Sequence, residues 1–176
     1  VSVLSRPWAL VAAGVLFLGI LWLASPHWDA RSRLEVRQEQ FFRAVEERRH
    51  RVLDGLVDER YRDSWGLGKL GLLRACDDLR RFFLVLGIRP LEPTSRIEGR
   101  EGRYQARIRL EGSPAGPGAL IRSEANRLET PFVFVWRRVG IFPWQWRLVG
   151  MENAGLTSLH GYDPDVGLGL EMLDME

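Results

Sequence analysis

Several residue groups in this chain have the types that chemistry needs, and their spacing decides what each can do. Gly66, Gly68 and Gly71 satisfy G-x-G-x-x-G, with Glu92 further on. Such glycines bind a pyrophosphate only where a buried strand feeds directly into them and a βαβ unit follows. The residues ahead of them are Asp58-Glu59-Arg60-Tyr61-Arg62-Asp63, too polar for that strand, and no βαβ repeat follows. A turn joining two helices is the expected role. His27, His50 and His160 are scattered without ligand-like spacing, so no metal site is expected and the histidines read as solvated. Cys76 is the sole cysteine, which excludes an internal disulfide and a cysteine-based metal centre. It falls on the apolar stripe of a helical pattern, where a thiol acts as a small core residue.

The elements that must position such groups can be read from periodicity. Ser25-Pro26 has the form of a helix start, with Ser as N-cap and Pro at the first position. A helical pattern runs over 29–63 with Leu34, Phe41, Phe42, Val45, Val52, Leu53, Leu56, Val57 and Tyr61 as its apolar positions, and a break is expected near Arg49–Arg51. Glu39–Arg43, Arg43–Glu47 and Glu47–Arg51 are i,i+4 pairs for its wet side. A second helical pattern covers 69–86, with Leu70, Leu72, Leu73, Cys76, Leu79, Phe82, Phe83 and Leu86. Strands are expected over 88–97, 103–110, 127–139 and 144–152, and SPAGPG (113–118) is a flexible loop. In 103–110, Tyr104, Ala106, Ile108 and Leu110 take one face while Arg103, Gln105, Arg107 and Arg109 take the other. Residues 132–136 are apolar on both faces, as in a central strand. Helices followed by an antiparallel meander make an α+β domain.

Composition sets the surroundings. With 45% hydrophobic and 27% charged residues, the chain has material for one globular core. Residues 8–24, from Trp8 to Ala24, contain no charge and would span roughly 25 Å as a helix, extendable through Val3 and Leu4 if Arg6 snorkels. Trp8 and Trp22 mark its ends, where indoles favour the interface. Signal-peptide cleavage fits poorly: a cut after Ala24 places Trp22 at −3, and a cut after Ser25 places Pro26 at +1. A single-pass anchor is the expectation. Arg31, Arg33 and Arg37 behind it argue for a cytoplasmic domain, whereas the short leading tail and single span favour export, the side adopted here. Net charge is +2, yet the last nineteen positions hold Asp163, Asp165, Glu171, Asp174 and Glu176 and no Lys or Arg, so the body is basic and the tail acidic. The arginine face of Arg103, Arg107 and Arg109, continued by Arg137 and Arg147, is either a solvated sheet face or a docking surface for an acidic partner or this tail. Nucleic acid is not expected, because aromatics do not interleave with the arginines.

The segments GRYQARIRL (102–110), FVFVWRRVG (132–140) and WQWRLVGMENAG (144–155), in that order behind N-terminal helices, resemble the nuclear transport factor 2-like superfamily, the cystatin-like cone or SnoaL-type fold. The resemblance covers about 34–157 and implies helices packed into the concave side of a curved antiparallel sheet of about four strands. The short first strand found between that family's helices is not visible in the sequence. Some members are isomerases or dehydratases that move protons with a buried carboxylate and a tyrosine. Tyr61, Asp63 and Tyr104 are closest in type, with Trp65, Phe132, Phe134 and Trp146 as expected pocket walls. Other members are non-catalytic domains behind one membrane helix, and fold does not decide between these. The core-facing strand positions offer no carboxylate, which favours a tethered, non-catalytic binding or scaffolding domain of a bacterial-type envelope protein, with no cofactor, and leaves a small-molecule isomerase or dehydratase as the alternative. The expected layout is a tail (1–7), a transmembrane helix (8–24), a juxtamembrane segment (25–33), the domain (34–157) and an acidic tail (158–176); a homodimer is a possible assembly.

Overall fold

A computed structural model describes residues 14–17, 29–140, 142, 144–156, 162–163 and 167–168. Among them no helix is long and apolar enough to cross a membrane; most of the apolar segment 8–24, like the Ser25-Pro26 helix start, lies outside the described residues. Residues 14–17 are helical, and Val15, Leu16 and Phe17 are each more than three-fifths exposed (65%, 67% and 62%).

Helix α1 (Ala30–Glu46) opens on Asp29, whose carboxylate accepts from the amides of Arg31 and Ser32. It ends where Arg48 takes a left-handed φ of 55°, and α2 (His50–Leu56) follows at once. The helical run expected over 29–63 is therefore two helices that finish at Leu56. The break also undoes two of the three expected ion pairs: Arg43 pairs with Glu39, but Glu47 turns to Arg49. Helix α3 (Lys69–Arg81) leads into strand β1 (Phe83–Glu98), followed by β2 (Glu101–Pro114), helix α4 (Gly118–Arg127), β3 (Phe132–Arg138) and β4 (Trp146–Glu152). The sheet is antiparallel in the order β1-β2-β3-β4. This is the expected α+β architecture with four main strands.

Three expectations are corrected. The second helix stops at Arg81, not at 86, and Phe83 and Leu86 belong to β1. Residues 118–127 form a helix, so the strand expected from 127 begins at Phe132. The strand between helices that the sequence hides is present in ragged form along β4. Val57 bridges Leu148 in parallel, and the amides of Asp58, Arg62 and Ser64 donate to the carbonyls of Leu148, Val149 and Met151 at 2.9–3.1 Å.

Helix α1 supplies the core-facing stripe Leu34, Gln38, Phe41, Phe42 and Val45, which shares one buried core with Tyr104, Ala106, Phe134, Trp136 and Leu148 of the sheet. Its approach is close. A Cβ on Gly102 would sit 2.9 Å from Leu34 Cδ2 and 3.1 Å from Trp146 Cζ3, so any larger residue would have to displace these buried side chains. Helix α4 covers the outer half of β2, which β3 does not reach. There the Asn126 amide replaces a neighbouring strand: Oδ1 accepts from Leu110 N at 2.7 Å and Nδ2 donates to Leu110 O at 3.0 Å.

The free edge of β1 is blocked against further strand pairing. Arg80 donates to the carbonyls of Phe83 and Leu84, Ile88 N donates to Glu46 Oε1, Pro90 has no amide hydrogen, and a bulge at Glu92-Pro93 turns the strand, with Glu92 at φ 52°. In the acidic tail, Tyr162–Asp163 and Gly167–Leu168 make a small antiparallel pair (β5 and β6), and Gly167–Leu168 lies beside α3.

Candidate functional site

The sequence candidates separate into an interior pair and a groove. Tyr61 and Asp63 lie on the ragged strand, 2% and 7% exposed, and the Tyr61 hydroxyl donates to Asp63 Oδ2 at 3.3 Å. Asp63 Oδ1 is already committed: it accepts from Trp65 N at 3.0 Å and Leu67 N at 2.8 Å, closing the turn through Gly66, whose φ of +90° suits glycine. Burial raises the Asp63 carboxyl above the usual carboxylate range, opposed by these backbone hydrogen bonds and by Tyr61. Burial, with the Asp63 charge beside it, also pushes the Tyr61 phenol far up. The pair has the chemistry of an acid–base dyad in a structural setting.

The expected pocket walls fill the interior. Phe134 packs edge-on against Phe41, Phe42 and Tyr104, with ring centroids 5.5–6.1 Å apart. Trp146 is 2% exposed, and Trp136 is fully buried with its indole N–H donating to Gln38 Oε1 at 2.8 Å. The rings of Phe132 and Trp65, both half-buried, lie 6.3 Å apart, and Trp65 Nε1 donates to Leu156 O at 2.7 Å.

Tyr104 sits apart from the Tyr61–Asp63 pair, in a groove of about 630 Å³ between α1 and the β1–β2 arm. Phe42, Ile88, Pro90 and Pro93 give it apolar walls, and Glu35, Glu39 and Glu46 line it from α1 with Arg43. Burial, together with the charges of Glu35 and Glu39, pushes the Tyr104 phenol up to about 12, so it stays protonated near neutrality. Neither Tyr61 nor Asp63 lines this groove. The groove acids escaped sequence reading, although Glu35, Glu39, Phe42 and Glu46 share one helix face at i, i+4, i+7 and i+11.

A second groove, of about 580 Å³, lies at the glycine-rich turn. Its Lys69 ammonium is held by Asp54 at 2.8 Å and Glu59 at 2.6 Å, so carboxylates stand where an anionic ligand would need positive charge. The residues before the glycines make only isolated bridges and single amide hydrogen bonds along β4, not the buried strand that a dinucleotide site needs. The next strand, β1, joins the opposite edge of the sheet after α3, so the turn remains a connection to a helix. Burial raises the Cys76 thiol to about 12, which keeps it from acting as a thiolate. His50 pairs with Asp77 at 3.1 Å, while His27 and His160 lie outside the described residues. Among the described residues no three His, Cys, Asp or Glu side chains converge as metal ligands.

Arg103, Arg107 and Arg109 lie on the face of β2 opposite the core. Arg103 pairs with Glu101 at 3.2 Å and Arg107 with Glu92 at 3.1 Å, while Arg109 makes no ion pair among the described residues and stands opposite Arg89 in register.

No family model and no curated protein matches this sequence. Solved structures do resemble it. A nuclear transport factor 2-like protein of unknown function from Pseudomonas putida aligns with a TM-score of 0.52 and 12% identity, over 70% of this chain and 84% of its own. A proposed scytalone dehydratase from Novosphingobium aromaticivorans gives 0.52 and 11%, over 69% and 80%. A Bdellovibrio bacteriovorus protein also gives 0.52 and 11%, over 69% of this chain but 38% of that longer one. At such identities the likeness establishes the fold, nuclear transport factor 2-like α+β, and leaves activity to the residues.

Proposed function

We propose that this chain is a non-catalytic binding or scaffolding domain of nuclear transport factor 2-like fold, held at a membrane by residues 8–24. The observation that carries the reading is the state of the interior. The space that a catalytic member would leave open is occupied by Phe41, Phe42, Phe134, Trp136 and Trp146, and the buried carboxylate of Asp63 closes a backbone turn. The anchor rests on the uncharged segment and on the exposed apolar side chains of residues 15–17, which need an apolar surrounding. The envelope setting and the exported side are the reading's location for the domain, and a second copy of the chain is one assembly it allows.

The arginine face of β2 is the surface proposed to meet an acidic partner, with Arg109 as its uncompensated charge. The test is chemical crosslinking of the full chain in intact membranes followed by purification. Replacing Arg107 and Arg109 together by Glu is expected to remove a crosslinked partner that Asp63→Asn leaves in place. Retention of every partner by the double variant would refute the arginine face. The isomerase or dehydratase alternative draws on the Tyr61–Asp63 hydrogen bond and on the name of one structural neighbour. It requires Asp63 to reach a substrate and predicts that Asp63→Asn abolishes function while the fold is kept.

A further inference from the structure

The groove beside α1 has features that a solvated helix face does not need. Tyr104 is only 6% exposed, yet its hydroxyl makes no hydrogen bond among the described residues and the side chain lines the groove. Its oxygen is not one of the sealed, unpartnered atoms among the described residues, so it opens onto the groove and is available to a ligand. Three acids, Glu35, Glu39 and Glu46, line the groove with one cation, Arg43; Arg43 is bound to Glu39 at 2.5 Å, and Arg31 from outside the lining reaches Glu35 at 3.8 Å. Glu46 also accepts from Ile88 N at 2.6 Å, which fixes its carboxylate against the strand. Between these acids the walls are apolar and aromatic, with the Phe42 and Tyr104 rings edge-on at 6.3 Å. Carboxylates over an aromatic corner are the chemistry that recognises an ammonium group on an apolar body.

The geometry points to a binding site for a small organic cation, an amine carried on an apolar skeleton, seated between Glu35, Glu39 and the Tyr104 hydroxyl. A volume of about 630 Å³ is that of a small-molecule site. The blocked edge of β1 denies a peptide the backbone pairing it would use to bind as an added strand. The acidic tail of this chain has the wrong sign for the groove. The inference rests on the binding-domain reading and names a ligand for it. It is independent of the arginine face, so either can fail without the other.

The test uses the full chain in detergent micelles and three matched probes: phenethylamine, phenethyl alcohol and 3-phenylpropionate. Calorimetric titration should show saturable binding of the amine, with the alcohol and the acid roughly tenfold weaker or worse. Glu39→Gln and Tyr104→Phe should each weaken the amine several-fold without lowering the melting temperature by more than a few degrees, and Arg109→Glu should leave it unchanged. Equal binding of all three probes, no amine binding at millimolar concentration, or amine binding untouched by both groove variants would each overturn the assignment.

Discussion

The hydrogen bonds that Asp63 makes among the described residues all go to the fold itself. Its Oδ1 holds two backbone amides and its Oδ2 receives the Tyr61 hydroxyl. Asp63→Ala leaves buried donors unpaired and should cost about 1–3 kcal/mol in urea unfolding, whereas Asp63→Asn keeps an acceptor and should stay within about 1 kcal/mol. The pH dependence has a definite sign. Burial raises the folded carboxyl above its ordinary 3.8, so the folded state holds the proton more tightly than the unfolded state. The Asp63 contribution to stability therefore falls as pH rises through the window above 3.8, and the parent should gain on Asp63→Asn as pH drops towards that value. A parent that lost ground to Asp63→Asn on acidification would contradict this.

At the scale of elements, α1 and α4 are fixed to the sheet by different means. Helix α1 is fixed by close approach over Gly102, so Gly102→Val should overpack against Leu34 and Trp146 and cost about 1–3 kcal/mol. Helix α4 is fixed through Asn126, which stands in for a strand at Leu110. Asn126→Ala should cost about 1–3 kcal/mol and speed amide exchange at Leu110, read by urea unfolding and hydrogen exchange. Unchanged exchange at Leu110 would show that β2 does not depend on this amide.

Much of this layer was legible in the sequence. The alternation of Tyr104, Ala106 and Leu110 against Arg103, Gln105 and Arg109 is the burial pattern of β2, and the apolar run at 132–136 is the central strand. The misreadings have local causes. An irregularity between Phe83 and Val85 places the two buried residues of early β1, Phe83 and Leu86, three apart, which imitates a helix stripe. A turn joining Tyr61 N to Asp58 O does the same for Val57 and Tyr61 in the ragged strand. Helix α4 is one short amphipathic stretch after Pro117, with too few apolar positions to declare its period. The interior pair Tyr61–Asp63 could be listed by type, but its hydrogen bonds depend on a turn that sequence does not reveal. The groove could not be seen at all, because Tyr104 and Glu39 meet only when α1 lies across β2.

At the scale of the whole molecule, the proposed role is to hold something rather than to transform it. The interior is packed, the strand edge is closed, and the outward features are an arginine face, an acidic groove and an uncharged N-terminal segment. The proposed domain binds its partner where residues 8–24 place it. The most direct measurement compares the full chain with one lacking residues 8–24 after in-cell crosslinking and alkaline extraction of membranes. The full chain should stay in the membrane pellet with a discrete crosslinked partner, and the shortened chain should be folded, extracted and without that partner. A full chain washed from the membrane, or a shortened chain that captures the same partner equally well, would contradict the proposed role.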